Sequence, residues 1–356
     1  MSNIADRVRE LISASQLSEE AFAAQADLDS AALAAALSGQ RPFSSLDLAK
    51  IADAREENLD YLITGVRPRL DSSARAERGD ARTALTAALR YTAHRQSIAE
   101  IGYGLRWRRL DVPVDLSGWR QWGRAAAQRA RQVFVADPDL VAAVEESFGV
   151  DIALVDLGGD FDGMAASADD TKIIILGTSS NPCRQRFTLA HELGHLLAGD
   201  DQEISLDKNI FLQGRQWRSD SEQRANAFAA VFLMPEDLLR ARVGSMGLTD
   251  QGFAELVTEL WVSPKALAIR LKELHLIDSG RCDRFSELSA LRAAEQTGKT
   301  ETYEAMVAEA QRPRPPRLLV RDTMAVYEAG RSTLQPLASL LDEDVGELER
   351  RLEPGY

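Results

Sequence analysis

The stretch Asn181-Pro-Cys-Arg-Gln-Arg-Phe-Thr-Leu-Ala-His191-Glu192-Leu-Gly-His195-Leu-Leu-Ala-Gly199 decides how the chain is read. It contains H-E-x-x-H and two of the four histidines in the sequence. Residues four apart on a helix share a face. His191 and His195 can therefore aim two imidazole nitrogens at one Zn²⁺, with Glu192 beside them to handle a proton. Local signals support the helix: Asn181 suits an N-cap, Pro182 the first helical position, and Gly199 the residue just past the end. Phe187, Leu189, Ala190, Leu193, Leu196 and Leu197 are too many apolar residues for one exposed stripe, which predicts a helix buried on most sides. Taken alone, the motif also fits a buried helix with two hydrogen-bonded histidines. A third ligand would separate the two readings.

Downstream of Gly199 lies a polar loop with Asp200, Asp201, Glu203 and Asp207, followed by Ser219-Asp-Ser-Glu222-Gln-Arg-Ala-Asn226-Ala-Phe-Ala-Ala-Val-Phe-Leu-Met-Pro235. Ala225, Phe228, Ala229, Phe232 and Leu233 are spaced for a buried helix face that ends before Pro235. Glu222 falls in the first turn, 27 residues after His195. A carboxylate from a second helix would complete a His₂Glu site and leave a fourth position for water. Two alternatives stand beside it. Ser219 and Glu222 spell the S-x-x-E capping box, and the loop acids are rival ligands, although none is on a predicted rigid element. Asn226, one turn after Glu222, can orient a ligating imidazole through its free N–H.

The rest of the sequence sets the frame. A length of 356 residues suits two or three domains, and the apolar and charged fractions are those of a soluble globular protein. Cys183 and Cys282 are far apart and form no C-x-x-C, which fits a reducing cytosol. No apolar run reaches membrane-spanning length, and the N-terminus has no secretory pattern, so a cytoplasmic protein without a membrane partner is expected. The net charge of −13 is unevenly spread. Residues 1–66 carry a net −6, residues 67–132 a net +8 and the remainder −15, which suggests a basic docking surface in the middle of the chain.

Residues 1–66 read as five short helices: a stripe of Ile4, Val8, Leu11 and Ile12, a helix opened by Ser18, one over Ser30–Leu37 stopped by Gly39, one from Leu46 to Ala54, and one over Leu59–Ile63. Residues 67–118 combine a linker with a basic helical segment. In "YGLRWRRLDVPVDLSGWRQWGR", tryptophans alternate with arginines; such residues either stack on single-stranded nucleic acid or pack in a core with solvated arginines around them. Helices over 119–134 and 138–148 lead to three strand-like runs, Ile152–Leu157, Gly163–Ser167 and Lys172–Leu176, expected to form a small antiparallel sheet. The fold class is thus mainly α with a small sheet, α+β. Residues 281–356 read as further helices interrupted by "QRPRPPR", an interaction or dimerisation tail that makes a homodimer an expected partnership. His275 lies at a helix end and His94 in a basic helix, both read as structural.

Two resemblances add to this. The run "LSEEAFAAQADLDSAALAAALSGQRPFSSLDLAKIADAREENLDYLITG" resembles the Cro/repressor-like (XRE) helix-turn-helix family. Its recognition-helix position, Ser30–Ser38, has almost no residue to read base edges, so DNA contact would rest on a few cations such as Arg41. "RFTLAHELGHLLAGD" with "SEQRANAFAAVFLMPED" and "LWVSPKALAIRLKELHLI" resembles the ImmA/IrrE zinc metallopeptidases over 119–280. This resemblance implies His191, His195 and Glu222 as zinc ligands and Glu192 as general base. It also implies an XRE-type repressor or other regulator as protein substrate, in stress, mobile-element or toxin–antitoxin control. A different class of function is a helix-turn-helix regulator or antitoxin whose metal domain senses or scaffolds.

Overall fold

The computed structural model describes residues 4–15, 17–26, 28–55, 62, 79–112, 118–135, 137, 139–158, 161–168, 170–199, 220–244 and 248–352. The chain divides into two compact units, Met1–Arg69 and Leu70–Tyr356.

The first unit holds α1 (Ile4–Ser15), α2 (Glu19–Gln25), α3 (Ser30–Leu37) and α4 (Ser45–Arg55). Ser18 Oγ accepts from the Ala21 amide and Asp29 Oδ1 from the Ala32 amide, so α2 and α3 each begin at a side-chain cap that satisfies an otherwise orphaned N–H. Val8, Phe22, Leu33, Ile51 and Leu62 meet in one buried core. The fifth expected helix, Leu59–Ile63, lies outside the described residues except for Leu62, whose carbonyl accepts from Arg7 Nε at 3.1 Å. Arg41 is tied within the unit: Nε donates to the Ala32 carbonyl at 3.0 Å and Nη1 to Asp47 Oδ2 at 2.9 Å.

The second unit is built on three strands, β1 (Asp151–Val155), β2 (Gly163–Ala168) and β3 (Thr171–Gly177), in the order β1-β3-β2. The expected α+β class holds, but the sheet is mixed instead of wholly antiparallel. β2 and β3 form the hairpin, while β3 runs parallel to β1. The chain leaves β1 at Gly158 (φ +77°) for the far edge, and β3 returns between the other two strands. The run Ile173-Ile-Ile-Leu176 carries that placement, because a central strand is buried on both faces and loses the alternation of an antiparallel edge.

Each face has its own cover. Ile173 and Ile175 join Ala153, Met164 and Ala166 beneath α5 (Gly79–Ala99) and α16 (Arg317–Glu328). Ile174 and Leu176 join Ile152, Leu154 and Ala165 against α7 (Leu140–Phe148) and α8 (Pro182–Ala198), and this core runs on into α6 (Trp119–Val133) and α9 (Asp220–Leu233). The chain continues through α10 (Glu236–Val243), α11 (Asp250–Leu260), α12 (Pro264–Glu273), α13 (Ser279–Ser286), α14 (Ala290–Gln296), α15 (Thr300–Ala310), α16, α17 (Gln335–Leu341) and α18 (Val345–Leu352).

The C-terminal helices are part of this packing. Leu154 and Arg314, in the Pro/Arg-rich break, exchange two backbone hydrogen bonds of 2.9 Å and close the outer edge of β1. Arg95 on α5 donates to both carboxylate oxygens of Asp151 on β1 and to Asp322 on α16, at 2.7–2.8 Å. One side chain of the basic middle segment is thereby consumed inside the fold. Two of its tryptophans also pack on this core: Trp122 is buried against Phe228, and Trp107, partly buried, lies against Phe148.

Candidate metal centre

The local signals in 181–199 act as read. Asn181 Oδ1 accepts from the Arg184 amide, Pro182 occupies the first turn, and Gly199 adopts the left-handed conformation (φ +71°) that ends α8. From Phe187 to Leu196 every residue of the helix is buried, so both histidines point into the protein interior. Helix α9 crosses α8 closely at Gly194, where a β-carbon would stand 3.1 Å from Ala225 Cα and 3.2 Å from the Phe228 ring. The glycine in H-E-L-G-H thus lets the second helix come near enough to present Glu222 to the histidines.

The structure brings His191, His195 and Glu222 together, and among the described residues they form the one cluster of three or more metal-ligating groups. His191 Nε2 and His195 Nε2 are 3.0 Å apart, and each lies 3.4 Å from a Glu222 carboxylate oxygen. The outer ring nitrogens meet acceptors. His191 Nδ1 is 3.1 Å from Asn226 Oδ1, and His195 Nδ1 is 3.3 Å from Ser221 Oγ. With each Nδ1 protonated and donating outward, both Nε2 lone pairs and the carboxylate face one small volume. Lone pairs and negative charge pointed at each other at this spacing call for a cation between them. Two imidazoles and one carboxylate are a fitting donor set for a divalent metal ion.

Glu192 is buried beside the cluster and accepts a hydrogen bond from the Ala165 amide of β2. Its carboxyl is pushed up to about 7, chiefly by burial, with His195 opposing the rise and the Glu222 charge adding to it. Glu192 is thereby poised to exchange a proton near neutrality.

Of the rival ligands considered from sequence, Asp200, Asp201, Glu203 and Asp207 lie outside the described residues, as does Ser219 of the capping box. Sequence reasoning missed Ser221. Its adjacency to Glu222 was the available signal, because the helix that delivers the carboxylate also places the preceding hydroxyl against the His195 ring. The other histidines lie elsewhere. His94 Nε2 meets Thr323 Oγ1 at 2.9 Å, and His275 has a left-handed backbone (φ +57°) just after α12.

Comparison with known proteins converges on the same segment. Residues 145–272 match the family described as the IrrE N-terminal-like domain, Peptidase_M78. Two relatives, each named radiation response metalloprotease IrrE, align with part of the chain. The Deinococcus radiodurans protein is 35% identical over 129 residues, which are 35% of this chain and 37% of the relative. The Deinococcus deserti protein is 36% identical over 102 residues, 28% of this chain and 36% of the relative. The alignments thus span little more than a third of these relatives' own length. The family match over residues 145–272 takes in His191, Glu192, His195 and Glu222, and both relatives are named as metalloproteases.

Proposed function

We propose that the chain is a zinc-dependent metalloendopeptidase in which His191, His195 and Glu222 hold the ion and Glu192 is the general base. One observation carries this reading: three donor atoms converge at 3.0–3.4 Å beside a buried carboxylate. Zinc bonds of about 2.0–2.2 Å at tetrahedral angles space neighbouring donors about 3.3–3.5 Å apart, close to the separations found. Bound there, zinc would supply a Lewis acid that polarises a scissile carbonyl and acidifies a water.

The chain's own residues do the rest. Asn226 and Ser221 hold the two imidazoles in the tautomer that turns Nε2 inward. Glu192, anchored by the Ala165 amide, takes a proton from the attacking water and passes it to the departing amine. The proposed substrate is a regulatory protein, such as an XRE-type repressor, in stress, mobile-element or toxin–antitoxin control. The relatives' radiation-response name supports that setting. For the N-terminal helices we favour a protein-contact role over DNA contact, because the Arg41 guanidinium already serves Ala32 and Asp47 and the segment is acidic.

The test combines metal analysis with a cleavage assay against XRE-type repressors. Glu192→Gln keeps zinc and loses cleavage. His195→Ala and Glu222→Ala lose both. Unchanged cleavage by Glu192→Gln would overturn the mechanism. Salt-dependent duplex binding by the wild type, with no repressor cleaved, would replace it with a helix-turn-helix regulator.

A further inference from the structure

Helices α6, α9 and α12 border a cleft of about 650 Å³, within the usual size range of binding sites. Ala227, Ala230, Val231 and Met234 supply its floor, at i, i+3, i+4 and i+7 along α9. That spacing makes one strip about 10 Å long, nearly two helical turns. Alanine at two of these positions leaves room for a bulkier side chain from outside. Trp119 at the start of α6 and Ile269 on α12, which is 37% exposed, add to the apolar lining.

The charged lining is mostly cationic, with Arg120, Arg124, Lys265 and Arg270 against Glu273, in a chain of net charge −13. Two of these cations are offset within the fold. Arg124 bonds Glu236 at 3.0 Å, and the buried Arg270 has a Glu273 oxygen at 3.6 Å. Arg120 and Lys265 are exposed, and among the described residues neither has an ion-pair partner. Arg120 lies over the Trp119 ring, 4.0 Å from its centroid. Each of the two stands at the second residue of its helix, α6 or α12, and neither helix has an acid in its first turn. A cation there opposes the helix dipole, where Asp or Glu would be stabilising. Two helices that break the same local rule at one cleft point to a negatively charged partner outside the fold.

We propose that this cleft docks an acidic amphipathic helix of a partner protein, its apolar face on the α9 strip beside Ile269 and its carboxylates against Arg120 and Lys265. A helix laid along a strip of this period packs as ridges into grooves, and acids flanking its apolar face meet the two uncompensated cations. A nucleic acid would answer the cations but not the aliphatic floor, which offers no hydrogen-bonding side chain to a base or phosphate. Asn226 forms part of the cleft wall and also bonds His191, so the docked helix lies beside the candidate metal centre. The contact itself does not depend on the peptidase reading.

The test is fluorescence anisotropy of the full chain with a labelled, capped peptide of about 15 residues, long enough to form a helix, with Leu along one face and Glu on both flanks. Saturable binding that weakens as salt is raised is expected. The double variant Arg120→Glu, Lys265→Glu is expected to weaken the peptide about tenfold or more. Its Tm without peptide stays level or rises, because acids then stand at the positive helix ends. Ile269→Ser is expected to weaken the peptide about threefold or more while the salt dependence is kept. Equal binding of a peptide of the same composition with its Leu spread around the helix would reduce the contact to net charge and overturn the proposal. Tighter binding of a peptide with Lys in place of Glu, tighter binding of a single-stranded oligonucleotide, or no saturable signal with the wild type would overturn it too. So would unchanged affinity in the double variant. Self-association of the wild type that the double variant abolishes would assign the cleft to a second copy of this chain, and that also overturns it.

Discussion

Gly194 on α8 lies against Ala225 on α9, with room for a hydrogen but not for an unstrained methyl: a β-carbon there would be 3.1 Å from the Ala225 Cα. Glu222 is one turn before Ala225, so this crossing sets the distance between the carboxylate and the histidines. Gly194→Val is expected to push the helices apart, destabilise the fold by about 1–3 kcal/mol and weaken metal binding more than stability alone explains. Paired measurements of Tm and of metal retained through dialysis check both parts. Full metal content at a lowered Tm would uncouple the crossing from the centre.

Asn226 and Ser221 each face the outer nitrogen of one imidazole. Asn226→Ala is expected to cost about 10–100-fold in metal affinity while Tm without metal changes little. The Ser221→Ala effect should be smaller, since its contact is longer at 3.3 Å against 3.1 Å. Competition with a chelator of known affinity reads both.

Gly123 marks a second close approach, between α6 and α9. A β-carbon there would stand 2.8 Å from the Phe228 backbone nitrogen and from the Ala227 carbonyl carbon. Backbone cannot turn aside as a side chain can, so Gly123→Ala is expected to lower stability by about 1–3 kcal/mol, read by urea denaturation.

Glu145 is buried, and its carboxyl is pushed up to about 8 by that burial, although the Ile152 and Arg317 amides donate to Oε1. Its folded pKa lies above the ordinary 4.5. Below that value folded and unfolded chains are both protonated there and the contribution is fully present; it is lost as pH rises through about 8. Glu145→Gln keeps the acceptor oxygen and removes the titration, so the decline of stability between those limits should flatten. His94 acts at the acid end: burial and two arginines lower it to about 4, so its contribution is present above 6.5 and lost as pH falls through 4. Denaturation midpoints across pH for His94→Gln and Glu145→Gln separate the two.

How far these features could be read in advance depends on where their causes lie. The α8 helix is legible because its cap, its proline and its terminal glycine are all within the segment itself. Glu222 is legible because helix periodicity puts it on a rigid element at a plausible distance. The mixed sheet was not, since strand order depends on which face each covering helix takes, and helices far along the chain settle that. Ile173-Ile-Ile-Leu176 did carry the trace of a central strand, in an apolar run without alternation.

The pairing of Leu154 with Arg314 has a temporal consequence. These residues are about 160 positions apart, so the edge of β1 stays open until the C-terminal segment has been synthesised and has found it. Such long-range closure slows folding, and an open strand edge invites pairing with other chains in the meantime. A nascent chain halted between α12 and Arg314 would already carry every residue of the candidate metal centre, yet it would present that unpaired edge to its neighbours. During synthesis, the proposed ligand residues and an aggregation-competent sheet edge therefore coexist until Arg314 arrives.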